Sequence, residues 1–263
     1  MTERDEEIST AMPKDLDALP RRGGFRLRGL EMTRLESFVD ATFAFAVSLL
    51  VIAGQQVPDD LDTLLRAFNN VPAFAASIAV MGFFWRGHWL WSRRFGLEDG
   101  VSSLISWAMI FTMLIYVYPL KIMFGGMFYG LSDGRLGQSI TVHSVAKGRA
   151  IFALYGLGFA AIALEIALLY WRAWQLRAPL RLNNAEQFMT RGAIVGWCIP
   201  ASVGLVSCIL ALTLPRDQIS WCGWAYFSMF FLPPAYRRLR RRRFARLEAT
   251  WARSNLRRRS SSL

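Results

Sequence analysis

The sequence predicts an all-α membrane protein, a bundle of six spanning helices, on three observations. The first is composition: 54% of its 263 residues are hydrophobic, and ten Trp and nineteen Phe are more than one soluble core of this size would hide. The mean hydropathy is +0.27. The second is a series of uncharged windows, each about the ~18 to 20 residues that a helix needs to cross the hydrocarbon layer. The third is the way the charges between those windows are distributed.

In chain order, residues 1–24 mix acids, Pro and Gly without apolar periodicity and are expected to be disordered. "RRGGFRLRGLEM" then reads as a basic amphipathic stretch lying along the inner leaflet, so that residues 1–29 form a disordered, basic cytoplasmic tail. The membrane domain runs over 30–236. Its first window is Ala41 to Pro58, preceded by Arg34, Glu36 and Asp40. The acidic loop "GQQVPDDLDTLLRAFNN" carries a short helix capped near Asp60, and leads to the second window, Ala67 to Trp85. That span ends in "FFWRGHWLWSRR", where rings and cations crowd together as at a membrane interface. The third window is Val101 to Leu120. A long, glycine-rich outer loop, Lys121 to Arg149, precedes the fourth, Ala150 to Trp171, which is interrupted only by Glu165. After the inner linker "RAPLRLNNAEQ" comes the fifth, Gly192 to Pro215, with Pro200 expected to kink it by removing a backbone donor. "PRDQ" makes a tight outer turn into the sixth, Gln218 to Tyr236, and residues 237–263 form an Arg-rich cytoplasmic tail.

With six crossings and both ends inside, 25 of the 31 Lys and Arg fall on the inner side, which is the positive-inside pattern. It places the protein in the cell membrane. The same topology accounts for the net charge of +12 more simply than a nucleic-acid partner does: the basic tails bind anionic lipid, with Trp251 as an interfacial foothold. The N-terminus has no short apolar stretch followed by a small-residue cleavage site, so no removed signal peptide is expected. Cys198, Cys208 and Cys222 lack CxxC spacing, and the two histidines, His88 and His143, belong to different parts of the chain, which leaves no metal site. No GxSxG, HExxH, Walker or paired-carboxylate motif is present, so neither an enzyme nor a cofactor is indicated.

The most informative stretch is "RLESFVD" followed by "ATFAFAVSLLVI". It resembles the signature of the transmembrane protein 175 family of potassium channels, in which Arg, three variable residues and Phe-Ser-Asp open the first helix. Arg34, Phe38 and Asp40 match, and Val39 stands where that family has Ser. "FFWRGH" is similar to the family's aromatic-Trp-x-x-His pattern through Trp85 and His88, and Asp99 and Pro119 fall at its spacing in the third span. The resemblance covers about residues 30–124, and the remaining spans match by architecture alone. It implies a potassium-preferring cation channel, a homotetramer as in single-repeat bacterial members, whose pore is lined by the first helix. Phe45, Leu49 and Ile52 then take the positions of the apolar constriction, and Ser48 that of a hydroxyl implicated in potassium preference.

Helix geometry supplies an independent reading. At about 100° per residue, Phe38, Phe45, Leu49 and Ile52 fall within about 40° of Phe45, with Arg34 about 20° away and Ser48 about 60° off. Such a stripe either packs a bundle core or lines a path. Asp40 lies about 140° from Phe45 and should turn toward neighbouring helices, as a structural acceptor for Trp85 or His88 rather than a selectivity charge. Glu165, the other carboxylate inside a window, matches nothing in the family. Two rival readings stay open: a proton-coupled secondary transporter using Asp40 and Glu165, and an accessory membrane protein that conducts nothing.

Overall fold

A computed structural model describes residues 15–52, 60–138, 145–215, 218 and 221–245. A two-stranded hairpin comes first. Strand β1 (Arg21–Arg22) pairs antiparallel with β2 (Phe25–Arg26), Arg21 facing Arg26 and Arg22 facing Phe25. Gly23 and Gly24 close the turn with φ of 59° and 82°, the left-handed pair that a two-residue hairpin needs. Helix α1 (Arg34–Ile52) starts where the Thr33 hydroxyl accepts the Glu36 N–H at 3.1 Å. Then come the short α2 (Leu61–Asn69) and α3 (Val71–Phe95), the latter with Pro72 in its first turn. Gly96 ends α3 in the left-handed conformation, its N–H donating to Ser92 O. Helices α4 (Gly100–Leu131), α5 (Val145–Gln175) and α6 (Asn184–Thr213) make up most of the bundle. A short α7 (Trp221–Trp224), a 3-10 segment (Ala225–Phe230) and α8 over 232–245 complete it.

Among the described residues, four helices are long and apolar enough to cross a membrane: α1, α4, α5 from Gly148, and α6. The chain is a membrane protein built mainly of helices. Helix α3 has the length but carries Arg86, His88, Arg93 and Arg94 in its second half. Its inward side, with Met81, Phe84, Trp91 and Phe95, lies in the core of the bundle.

Two expectations need correction. Residues 15–29 are not a disordered tail: they hold the hairpin, and Phe25, Arg26 and Arg28 are buried. Residues 1–14 of that tail lie outside the described residues. The window Gln218 to Tyr236 is not one helix either. Pro233 and Pro234 lack the N–H groups that would continue a helix through them, so the 3-10 segment stops and α8 begins afresh with the prolines in its first turn. Of the basic tail, 237–245 continues α8, and 246–263 lies outside the described residues.

In a bilayer, helices gain little from hydrophobic burial against one another and associate through close packing. The α5–α6 seam shows the device. A Cβ on Gly156 would stand 2.7 Å from Gly204 O, and a Cβ on Gly204 would stand 2.7 Å from Gly156 O. Only hydrogen at both positions lets the backbones come this near. Aromatic rings fill the rest of the core. Phe84 meets Phe159 at 5.1 Å, and Tyr226 of the 3-10 segment meets Tyr155 and Phe159 at 5.1 Å each, which anchors the irregular segment against α5.

Candidate functional site

Helix α1 has two distinct faces. Val39, Phe43, Ala46 and Leu50 are buried against the bundle. The opposite side carries Arg34, Phe38, Ala41, Phe45, Ser48 and Ile52, at alternating steps of three and four residues, and all six are exposed. Phe45 is 57% and Ile52 69% exposed. Leu49 is set apart from this row, half-buried and packed against the core. The Ser48 hydroxyl donates to Ala44 O at 3.3 Å, which leaves its own oxygen free to accept or to coordinate a cation. An apolar groove runs alongside, between α1 and α4, lined by Phe38, Phe45, Trp107, Ile110, Phe111 and Leu114. Phe38 and Trp107 close one end of it with ring centroids 4.7 Å apart.

Asp40 sits on neither face. It is half-buried at the α1–α3 seam, where the Trp85 indole N–H donates to its Oδ1 at 2.8 Å. His88 lies one turn further along α3, buried, and its Nε2 is 3.1 Å from the Ser106 hydroxyl of α4. The two motif residues of α3 therefore tie that helix to different neighbours: Trp85 to α1, His88 to α4. Asp99 precedes α4 and takes the Ser102 hydroxyl at 2.6 Å and the Arg172 guanidinium of α5 at 2.9 Å. The Asp40–Trp85 bond is only partly shielded, so its loss should be modest. Asp40→Ala is expected to lower thermal stability by about 1 kcal/mol, with Asp40→Asn, which keeps the acceptor, close to wild type. Thermal denaturation of the detergent-solubilised protein checks this, and equal losses from both variants would assign the stability to the charge instead.

A further polar cluster, built on buried charges, is one that no sequence motif announced. The segment preceding α1 lies as a strap across the C-terminal end of α3 and the N-terminal end of α6. Glu186, fully buried in the first turn of α6, accepts from Arg26 Nε at 3.0 Å and Nη2 at 2.9 Å, and from Arg28 Nη2 at 2.9 Å. The Arg26 backbone N–H donates to the same carboxylate at 3.0 Å. Its hydrogen bonds to Glu186 hold the Arg26 guanidinium above its ordinary pKa. Glu186 also closes a capping box with Asn183, whose side chain accepts the Glu186 N–H at 2.8 Å. Further along the strap, the Gly29 N–H donates to Arg93 O at 3.2 Å. The Arg93 guanidinium returns bonds to Gly29 O and Leu30 O, and pairs with Glu36 in the first turn of α1 at 3.2 Å. A Cβ on Gly29 would collide with Ser92 O, so the strap fits this close only as glycine. The Asn183-x-x-Glu186 spacing was a readable sign of a helix start, but nothing local announces two arginines more than 150 residues away as its partners.

Three comparisons bear on this arrangement. A family model described as the endosomal/lysosomal potassium channel TMEM175 matches residues 34–119, the span from Arg34 through Pro119. A protein of Marivirga tractuosa named as a potassium channel is 33% identical over 217 residues, covering 80% of this chain and 87% of that one. The crystal structure of a variant of the potassium channel MtTMEM175, in complex with a nanobody–MBP fusion, matches with a TM-score of 0.73 and 30% identity, over 84% of this chain and 98% of that chain.

Proposed function

Since this chain belongs to the TMEM175 family of potassium channels, we propose that several copies of α1 meet to line a potassium-preferring pore in the cell membrane. The observation that carries this reading is the exposed row from Arg34 to Ile52, opposite a face already committed to the bundle. In a tetramer, four such rows converge. Permeation is passive: an ion enters, is held in passing by the Ser48 hydroxyls, and crosses a neck where Phe45 and Ile52 offer no polar replacement for its water. Leu49, half-turned into the core, supports the neck from behind. Arg34 opens the row; Phe38 through Trp107 and Asp40 through Trp85 position α1 against α4 and α3, and His88 ties those two helices together. Six crossings, counting α3 and the interrupted stretch near 221–245, put both termini in the cytoplasm with the arginines of α8 on anionic lipid. Asp40 and Glu165 are bonded into different helix seams, to Trp85 and to Thr112, which supports a channel over a proton relay running between them.

The test is ion flux from purified protein in liposomes under opposed potassium and sodium gradients, with and without a polar neck. A reversal potential that tracks potassium is expected. Phe45→Asn should raise basal flux about tenfold, equivalent to about 1.4 kcal/mol off the barrier, because the amide replaces part of the lost hydration. The same change at Val47, which packs against the core, should disturb folding instead of flux. Assembled Phe45→Asn protein with wild-type flux would return Phe45 to an ordinary lipid or subunit contact.

A further inference from the structure

Glu165 lies about two-thirds of the way along α5, and the pore makes no use of it. Its Oε1 stands 2.7 Å from the Thr112 hydroxyl of α4, and its Oε2 is buried with no hydrogen-bond partner. The same Thr112 hydroxyl stands 2.9 Å from Ala108 O, one turn back on α4. A hydroxyl owns a single proton and can donate it to one of these two oxygens, not to both. If that proton goes to an ionised carboxylate, the second carboxylate oxygen, itself buried, carries charge with no hydrogen-bond donor among the described residues, an arrangement of high cost. If the proton goes to Ala108 O, the Thr112 oxygen is an acceptor, and Glu165 supplies the other hydrogen from its own Oε1. Both short contacts are then satisfied, and the oxygen left without a partner is a neutral carbonyl.

From this geometry we propose that Glu165 and Thr112 form a proton-binding site in the α4–α5 seam, with the proton as its ligand. The chain of donation runs from Glu165 Oε1 to Thr112 Oγ1 to Ala108 O. Few other titratable groups face the site among the described residues. On α4, Tyr116 follows one turn after Thr112. From α3, His88 meets the same helix earlier, at Ser106. On α6, which packs along α5, the stretch Gly192–Thr213 has no charged side chain and offers only Cys198 and Cys208. Arg172, two turns further along the same side of α5, is paired with Asp99, so among the described residues no uncommitted charge is at hand to replace the proton once it leaves. Its departure puts a negative charge between α4 and α5, and α4 is also the wall of the groove beside α1.

The site can be read chemically without measuring flux, so its failure is distinct from failure of the channel reading. Dicyclohexylcarbodiimide enters the apolar layer and reacts with protonated carboxyls. The carboxyl oxygen adds to the central carbon while the acid proton moves to nitrogen, and the O-acylisourea rearranges to a stable N-acylurea with no group lost. Wild-type protein in liposomes is treated across mildly acidic to alkaline pH and mapped by peptide mass. Labelling at Glu165 is expected at neutral pH and should fade on the alkaline side, with a water-soluble carbodiimide plus an amine leaving Glu165 untouched. The thermal midpoint of wild-type protein should fall on the alkaline side as Glu165 loses its proton, whereas Glu165→Gln, which places an amide N–H where the acid O–H donates, should match wild type at neutral pH and not share that fall. Absence of Glu165 labelling at every pH in the assembled protein would overturn the site. So would a Glu165→Gln protein that is markedly less stable than wild type at neutral pH.

Discussion

Glu186→Ala is expected to cost more stability than any other single carboxylate truncation in the chain. The substitution leaves the guanidinium groups of Arg26 and Arg28 buried without their counter-charge, and breaking a buried ion pair from one side costs about 3–5 kcal/mol. It also removes the carboxylate that accepts the Asn183 N–H at 3.1 Å, and with it half of the capping box. Because the strap carrying both arginines leads directly into α1, its release should free the N-terminal end of that helix as well. The measurable result is loss of folded, assembled protein on size exclusion and a large drop in thermal midpoint. Glu186→Gln keeps acceptor oxygen for the cap and for one arginine, and should fall between. Replacing both arginines by Met together with Glu186→Leu should recover much of the loss, since an apolar trio has no orphaned charge. A Glu186→Ala protein with the wild-type midpoint would mean that the arginines find other partners and that the strap is not held here.

Gly204→Val is the second large effect. Its Cβ would stand 2.7 Å from Gly156 O and 2.8 Å from Ala160 N, and both obstacles are backbone, so no rotamer change relieves them. The helices must separate, and the close packing that joins α5 to α6 in a membrane is what the separation forfeits. Overpacking of this kind typically costs about 1–3 kcal/mol where side chains can yield, and the backbone contact places Gly204→Val at or above the top of that range. Gly156→Val should behave alike, since the approach is mutual. Gly82 supplies the contrast, because a Cβ there meets nothing within 4 Å, and Gly82→Ala should be tolerated. Comparing thermal midpoints of the three variants in one detergent checks the ranking. Equal stability of Gly204→Val and Gly82→Ala would show that the α5–α6 approach is looser than drawn.

What the sequence determined by itself is the membrane character of the chain, its main helices and the division of α1 into two faces. Hydropathy is a property of consecutive residues, and a helix repeats every 3.6 of them. The windows at 101–120, 150–171 and 192–215 could therefore be read directly, as could the one from Ala41 as far as Ile52, its residues 53–58 lying outside the described ones, and so could the common stripe of Phe38, Phe45 and Ile52. The two motifs, Arg34, Phe38 and Asp40 in one and Trp85 and His88 in the other, could be read because each is a short stretch of chain. The break near Pro233 and Pro234 was also local, but the apolar composition around it masked the missing N–H groups. Tertiary structure decided which side of α1 is turned outward, that Trp85 and not His88 donates to Asp40, and that Leu49 leans into the core. It also decided that residues 15–29 are structured. An arginine-rich segment reads as a solvated tail until a carboxylate 160 residues away in sequence is brought within 3.0 Å of Arg26. The same holds for Gly156 and Gly204, ordinary glycines in ordinary apolar helices until two backbones meet. Periodicity is written in neighbours along the chain. The pairing of buried charges and the contact of backbones arise only when distant helices pack, where a mismatched partner costs several kcal/mol and therefore selects one arrangement.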